Sequence, residues 1–109
     1  MMMINISDRT KILAEHQAES CRVMGNAQRV LILWLLLQNK RTANELAQAL
    51  GASLATIHHH LRILTFHDLV EMNEEDRNYF YTIKDTEFTR NCPALGNRPD
   101  ECENLKQLL

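Results

Sequence analysis

The chain of 109 residues contains only three glycines and two prolines. No phosphate-binding loop of the form G-x-G-x-x-G or G-x-x-x-x-G-K-[ST] can be written, which excludes the common nucleotide-binding motifs. The longest apolar run, residues 30–37, is eight residues long, whereas a membrane-spanning helix needs about 20. The first residues lack the basic region and the cleavage site of a secretory signal. We therefore expect a cytoplasmic protein with no membrane partner.

Cysteine is also scarce, and Cys21, Cys92 and Cys102 lack the even number and the spacing of a disulfide framework. Reduced thiols are expected. Cys21 is predicted to pack inside as a small apolar side chain, whereas Cys92 and Cys102 are candidates for binding a soft metal ion or sensing an oxidant. No cofactor is identified. Because H-E-x-x-H, C-x-x-C and a nucleophile elbow are all absent, we do not expect an enzyme.

The first half of the chain contains strong helix signals. Ser7 is a good N-cap for a helix that runs to about Met24. Gly25 suits the end of that helix, and Asn26 suits the start of the next. Residues 26–39 are rich in leucine, which favours a helix at the centre of the core.

Two shorter helices follow. Thr42 and Glu45 have the spacing of a capping box, which predicts a helix over residues 43–50 that ends at Gly51. Ser53 is the predicted N-cap of a helix from residue 54 to about Asp68, with Ile57, Leu61 and Leu64 facing inward. Two helices joined by a short glycine-containing turn form a helix-turn-helix, here residues 42–68.

A β-hairpin is predicted next, in the wing at residues 69–84. Aromatic and β-branched residues surround the polar turn 74–78, where Asp76 and Asn78 are expected to accept a positive φ. Asp85 is expected to cap a short helix that stops near Pro93, and Pro99 to begin a last helix. The order α-α-α-α-β-β-α predicts a mainly α fold with a small β-hairpin (α+β), a winged helix-turn-helix, in a single domain over residues 1–109.

Charge is segregated along the chain, although the formal net charge is −2. Residues 26–64 hold four basic residues against one acidic residue, a net charge of +3, and three histidines. Residues 65–87 hold two basic against seven acidic residues, a net charge of −5. We therefore expect the positive charge on the helix-turn-helix, where phosphates would be met.

The second helix of this motif carries the candidate DNA contacts. Its exposed face combines small, hydroxyl, imidazole and guanidinium side chains, which suit close approach to a major groove and hydrogen bonding to bases or phosphates. These residues are Ala55, Thr56, His58, His59 and Arg62. His60 is predicted to be a partly buried packing residue beside the inward stripe, and neighbouring histidines about 100° apart on a helix are poorly placed to share a metal ion. Arg77, at the wing tip, could reach a minor groove or a phosphate, but its acidic neighbours favour a solvated tip equally.

Four stretches in this order resemble the ArsR/SmtB family of winged-helix transcriptional regulators. They are residues 24–33, residues 44–51, residues 56–64 and the wing segments 68–71 with 77–83. The resemblance implies a homodimer held by the terminal segments 1–24 and 85–109, bound to double-stranded DNA as a repressor. It places base reading on Ser53, Thr56, His58, His59 and Arg62, and the wing contact on Arg77. An inducer, a metal ion or a thiol oxidant, would relieve repression.

The chain departs from the family at the usual effector positions. Sensors of arsenic, lead or cadmium carry Cys-x-Cys where this chain has Thr42 and Asn44. Zinc sensors carry histidine on the helix after the wing, and the tail here has none. Sulfide and redox sensors keep a cysteine near the position of Trp34.

Three functional hypotheses follow. The leading one is a dimeric, sequence-specific DNA-binding regulator that reads the major groove with residues 54–68. A second is a winged-helix protein-interaction module without DNA binding, which the acidic hairpin would suit. A third is a repressor that responds to thiol chemistry or a soft metal through its three cysteines.

Overall fold

The computed structural model describes residues 7–86, 89, 90, 92 and 95, with the backbone alone at residues 13, 16, 17 and 20. Four helices are followed by one antiparallel hairpin, in the predicted order. The elements are α1 Asp8–Met24, α2 Ala27–Gln38, α3 Ala43–Leu50, α4 Leu54–Phe66, β1 Val70–Glu75 and β2 Asn78–Ile83. The predicted last helix, after Pro99, lies outside the described residues. No helix in the described part of the chain is both long and apolar enough to cross a membrane.

The four helices begin where their capping residues predict. In each, the cap side chain accepts a hydrogen bond from the backbone N–H three residues later, which satisfies one of the free donors of the first turn. The caps are Ser7, Asn26, Thr42 and Ser53. At α3 the capping box is complete, because Thr42 N–H also donates to Glu45 Oε1 over 3.0 Å.

The end of α4 is earlier than predicted. The helix stops at Phe66, not Asp68, because Asp68 takes a left-handed conformation with φ +60°. Leu69 N–H then donates to Leu64 O over 2.9 Å, and Asp68 N–H donates to Thr65 O over 3.1 Å. This pair of hydrogen bonds is the Schellman motif. Gly51 ends α3 in the same way at φ +63°.

Helix α2 supplies the centre of the core, as predicted. Ile32, Leu33 and Leu35 are fully buried, and the inward residues of α4 pack in the same cluster. The remaining members come from α1, α2 and α3, from the start of the wing and from beyond it, namely Val23, Leu36, Ala43, Leu46, Leu69, Val70 and Leu95. Burial of these apolar side chains fixes which face of α4 points outward.

The wing is a two-stranded hairpin joined to the segment before α3. Met72 lies opposite Tyr81, so these two side chains share one face of the hairpin with Tyr79. Tyr81 also pairs with Arg41 through two backbone hydrogen bonds, of 2.8 and 3.2 Å. The wing is therefore anchored to the helix-turn-helix at its middle, while its tip projects beyond the core.

The hairpin turn differs from the prediction. Asp76 and Arg77 are the two central residues and have φ +50° and +68°, whereas Asn78 lies in β2. Positive φ at both central positions defines the type I′ turn of a two-residue hairpin loop, and the strand register leaves Arg77, not Asn78, at the second position. Arg77 therefore occupies a conformation that glycine adopts at lower cost.

After the wing, Thr86 takes the capping role that was predicted for Asp85. Thr89 N–H donates to the Thr86 hydroxyl over 3.2 Å, and Thr86 N–H donates to Thr89 Oγ1 over 2.9 Å. Asp85 instead forms an exposed ion pair with Arg90 at 2.9 Å.

We predict that Arg77→Gly raises the free energy of unfolding by about 0.5–1 kcal/mol. The left-handed conformation costs an L-residue about 1–2 kcal/mol, and the added freedom of glycine in the unfolded chain offsets about half of that. Asn78→Gly is the matched control, because Asn78 is in extended strand backbone. It should lower stability by about 0.5–1 kcal/mol. Urea unfolding followed by circular dichroism measures both, and a destabilised Arg77→Gly protein would contradict the strain at this turn.

Candidate nucleic-acid interface

One face of α4 points away from the core and carries most of the candidate DNA contacts. Ala55, His58, His59 and Arg62 are all exposed, whereas Ile57, His60, Leu61 and Leu64 are buried. Residues three and four apart lie on the same side of a helix, so the exposed residues form one continuous stripe. We call this stripe the α4 face. It has the length and shape of a helix surface that enters a major groove.

The two hydroxyl residues of the candidate set sit at the N-terminus of α4 and are engaged in capping. Ser53 Oγ accepts from Thr56 N–H at 3.1 Å and donates to Thr56 Oγ1 at 2.8 Å. The Thr56 hydroxyl keeps its own proton for another acceptor. Ser53 is exposed and Thr56 is half-buried, so they lie at the end of the α4 face and not along it.

Three of the four cations in residues 26–64 are committed to structural contacts. Arg29 Nε donates to Val23 O at 2.8 Å, at the end of α1. Arg41 Nε donates to Leu35 O at 3.2 Å, at the end of α2. Both contacts bind carbonyls in the last turn of a helix, where hydrogen-bond donors within the helix are few. Lys40 reaches the wing, where it pairs with Glu75.

Arg62 is the fourth cation, and it forms no hydrogen bond or ion pair with any described residue. It is exposed on the α4 face, between His58 and the end of the helix. Of the basic side chains that we expected on the helix-turn-helix, Arg62 is therefore the one available to a ligand, and it lies beside the exposed imidazoles of His58 and His59. Arginine suits this position because its planar donor fork matches phosphate or guanine geometry.

The acidic charge of the wing is partly neutralised by ion pairs. Lys40 binds Glu75 and lies 4.9 Å from the centroid of the Phe80 ring, while Lys84 Nζ is 3.1 Å from Asp68 Oδ1. In the described part of the chain, Glu71, Glu74 and Asp76 form no ion pair. The wing is thus less repulsive to phosphate than its composition indicates.

A groove separates the wing from the starts of α3 and α4. It has a volume of about 610 Å³ and is lined by residues 42–44, Leu54 and His58 on the helical side and by Met72, residues 77–79 and Tyr81 on the wing side. We call it the wing groove. None of these residues is acidic, and His58 and Arg77 supply the basic groups. The exposed Arg77 therefore shares a concave surface with the α4 face.

Several lining residues of the wing groove were not among the sequence candidates. Leu54, Met72 and Tyr79 are exposed large apolar side chains, with 41, 51 and 53% of their surface accessible. The alternation of Tyr79, Phe80 and Tyr81 along β2 was a signal for one aromatic face. The helical residues that face this aromatic side could not be predicted in the same way. They are brought opposite it by the Arg41–Tyr81 pairing, which joins segments far apart in the sequence.

His60 is buried, as predicted, and joins α4 to the start of α2. Its Nε2 donates to Gln28 Oε1 at 2.8 Å, which leaves Nδ1 as the unprotonated acceptor of a neutral ring. His60 Nδ1 is buried and has no hydrogen-bond partner among the described residues. Burial lowers the pKa of His60, and the neighbouring Arg29 and His59 lower it further.

The cysteines do not form one site in the described residues. Cys21 is exposed on α1, which corrects the prediction that it packs inside, because α1 turns that side away from the core. Cys92 is half-buried against the core, and Cys102 lies outside the described residues. No group of three or more histidine, cysteine or carboxylate side chains within the described ranges could hold a metal ion.

Comparison with known proteins identifies the family. A model described as bacterial regulatory protein, arsR family, matches residues 26–72, from the start of α2 to the middle of β1. The homodimeric winged helix-turn-helix DNA-binding domain of a possible ArsR-family transcriptional regulator from Mycobacterium bovis has a TM-score of 0.68 and 32% identity, covering 81% of this chain and 82% of that one. The chain belongs to the ArsR family. This confirms the resemblance drawn from the four sequence stretches.

Two further proteins are similar to this chain. NolR from Sinorhizobium fredii has a TM-score of 0.72 and 26% identity, covering 86% of this chain and 94% of its own. A helix-turn-helix-type transcriptional regulator of Mycobacterium tuberculosis is 32% identical over 88 residues, 81% of this chain. This chain spans about two fifths of that longer relative, 39% of its length. The winged helix-turn-helix fold is confirmed by the likeness to the M. bovis domain.

We predict that the protein loses stability as the pH is lowered, in part through His60. Its folded-state pKa is lowered, so the unfolded chain binds this proton more readily, and stability falls once the pH drops below the ordinary histidine value of about 6.5. Replacing His60 by glutamine, which keeps a polar partner for Gln28, should flatten this part of the profile. His58→Gln, on the exposed face of the same helix, is the control. Urea midpoints between about pH 8 and pH 5 measure the effect, and parallel profiles for His60→Gln and the parent would contradict it.

Proposed function

We propose that this ArsR-family chain is a sequence-specific DNA-binding transcriptional regulator that acts as a homodimer and has no catalytic role. The observation that carries the proposal is the α4 face, where Arg62, His58 and His59 are exposed directly opposite the buried stripe of the helix. This helix lies within the residues that match the family model. An exposed polar stripe on a rigid helix supplies what major-groove reading requires.

Each candidate residue has a distinct proposed role. Ala55 allows close approach of the helix, and His58, His59 and Arg62 supply hydrogen-bonding groups for bases or phosphates. Ser53 and Thr56 hold the first turn of α4 and place its free amides toward a phosphate. Arg77 approaches the DNA backbone from the wing tip, across the wing groove.

The dimer is proposed to form through the terminal segments 1–24 and 85–109. The structure of the M. bovis relative is described as homodimeric, and α1 of this chain exposes apolar surface at Ile12. A two-fold dimer would present two α4 faces to half-sites about 34–36 Å apart, one turn of DNA. Repression remains an expectation from the family. A regulator of bacterial DNA would act in the cytoplasm.

We predict that Arg62→Ala weakens operator binding by about tenfold or more. It should also lower the slope of log affinity against log salt by about 0.9 for each phosphate that Arg62 neutralises in the parent complex. Arg62 is the cation of residues 26–64 that has no partner in the described part of the chain. Fluorescence anisotropy with labelled duplex at several salt concentrations measures both quantities.

Lys84→Ala is the control for this experiment. Lys84 lies at the base of the wing, outside the α4 face and the proposed dimer segments, and forms only an exposed ion pair with Asp68, at 3.1 Å. Both variants remove one positive charge, so a nonspecific effect of net charge should appear in both. An equal decrease in affinity in the two variants would contradict a specific role for Arg62, and a parent chain that binds no duplex would favour the protein-interaction hypothesis.

We predict that selection from a random DNA pool enriches an inverted repeat. The two half-sites should have centres about one helical turn apart, because a two-fold dimer repeats its contacts on a two-fold operator. Sequencing of the bound pool reports both the operator and the symmetry of the protein. An enriched site without inverted symmetry would contradict the proposed dimer, and no enrichment would contradict sequence-specific binding.

A further inference from the structure

The wing groove has more apolar surface than phosphate recognition explains. Five large apolar side chains are exposed in the described residues, and three of them, Leu54, Met72 and Tyr79, line this one groove. Exposed apolar surface that is concentrated in a concavity marks a binding site more often than a chance distribution does. The groove volume of about 610 Å³ is within the usual range for small-molecule sites, about 300–1,000 Å³.

The walls of the groove have a defined chemistry. On the wing side, Met72 and Tyr79 lie on the same hairpin face as Tyr81, so a thioether and two phenol rings are neighbours. Leu54 faces them from the start of α4. Aromatic rings and polarisable sulfur favour a flat aromatic ligand, which stacks at little cost in conformational freedom.

The polar groups around these walls favour an anion. Arg77 and His58 line the groove, and no acidic residue does. Glu74 is opposite Tyr79 in the hairpin but is not a lining residue. Asn44 and Asn78 add amide groups that bond either oxygen or nitrogen atoms of a ligand.

We infer that the wing groove binds a small planar aromatic anion, of the aromatic carboxylate class. One or two fused rings would lie between Leu54 and the Met72–Tyr79 wall, with the carboxylate toward Arg77 and His58. Arginine binds carboxylates through paired hydrogen bonds, so Arg77 would determine the preference for a charged ligand.

The groove is also pre-formed, which favours a ligand site over a surface that only forms on contact. Tyr81, a lining residue on the wing side, is fixed by two backbone hydrogen bonds to Arg41, and the wing is also held by the ion pair of Lys40 with Glu75. A pre-formed site loses little conformational entropy on binding.

The consequence for regulation rests on the proposed function. His58 and Arg77 belong both to the groove and to the proposed DNA interface. A ligand bound to these two side chains would remove them from DNA. The inferred ligand is therefore a direct competitor of operator binding.

The test uses the full chain and the probe 2-naphthoate, with its uncharged analogue 2-naphthamide for comparison. Calorimetry without DNA should show naphthoate binding, with naphthamide about tenfold weaker. Tyr79→Ala and Met72→Ala should each weaken naphthoate by about tenfold, since each removes part of one wall. Arg77→Gln should make the affinities for naphthoate and naphthamide equal. Glu74→Gln should raise the affinity for naphthoate, because it removes a negative charge close to the groove.

Phe66→Ala is the control variant. Phe66 is the most exposed of the large apolar residues, at 80%, and it lies outside the wing groove. It should bind naphthoate as the parent does. Backbone amide shifts of the parent chain on titration locate the probe directly, so the test does not depend on the variants folding.

Three results would overturn the inference. These are no naphthoate binding at millimolar concentration, shift changes outside the wing groove, and equal weakening of binding in Phe66→Ala and Tyr79→Ala. Equal affinity for naphthamide would overturn the choice of an anion. If naphthoate binds in the groove but DNA binding is unchanged, the inferred competition is wrong and the ligand site stands. If the chain binds naphthoate but no DNA, the proposed function is wrong and the ligand site stands.

Discussion

The pairing of Arg41 with Tyr81 is the contact on which the functional surface depends. Its two backbone hydrogen bonds, of 2.8 and 3.2 Å, join the segment before α3 to the middle of the wing. The side chain of Arg41 binds the end of α2 through Leu35 O. One residue therefore connects the central helix, the start of the helix-turn-helix and the hairpin. A two-stranded hairpin has little stability alone, so this junction stabilises the wing together with the burial of Val70 in the core and the Lys40–Glu75 ion pair.

A second theme is the division of positive charge between structure and recognition. Arg29 and Arg41 satisfy carbonyls at helix ends, and Lys40 neutralises Glu75 on the wing. Arg29 and Arg41 keep their charge, but Arg62 is the cation of this segment whose donors are all available to contact phosphates. A surface with few free cations has weak nonspecific affinity, because each phosphate contact contributes to that term. Specific contacts from the α4 face would have to supply more of the binding free energy.

The features that could be predicted from the sequence, the helix starts and the exposed face of α4, depend on interactions between residues close together in the chain. The caps at Ser7, Asn26, Thr42 and Ser53 depend on a residue and its third neighbour, and the α4 face follows from helical periodicity. The wrong predictions concern features that need distant residues. The exposure of Cys21 depends on how α1 packs, and the end of α4 depends on burial of Leu69 after Asp68. Arg77 takes the strained turn position because the register of the whole hairpin places it there. The wing groove combines side chains from three segments, so no single stretch of sequence could predict it.

The two proposed roles of this surface fit together in energetic terms. An effector in a terminal segment must shift an equilibrium between two conformations of the protein, and its effect is limited by its differential affinity for them. A ligand in the wing groove needs no second conformation, because it would occupy His58 and Arg77 directly. At a concentration about 100 times its dissociation constant, an exclusive competitor weakens apparent DNA affinity by about 100-fold. The chain departs from the family at the familiar effector positions, Thr42, Asn44 and Trp34. Thr42 and Asn44 line the wing groove, so direct competition by an aromatic anion would replace thiolate chemistry at these two positions.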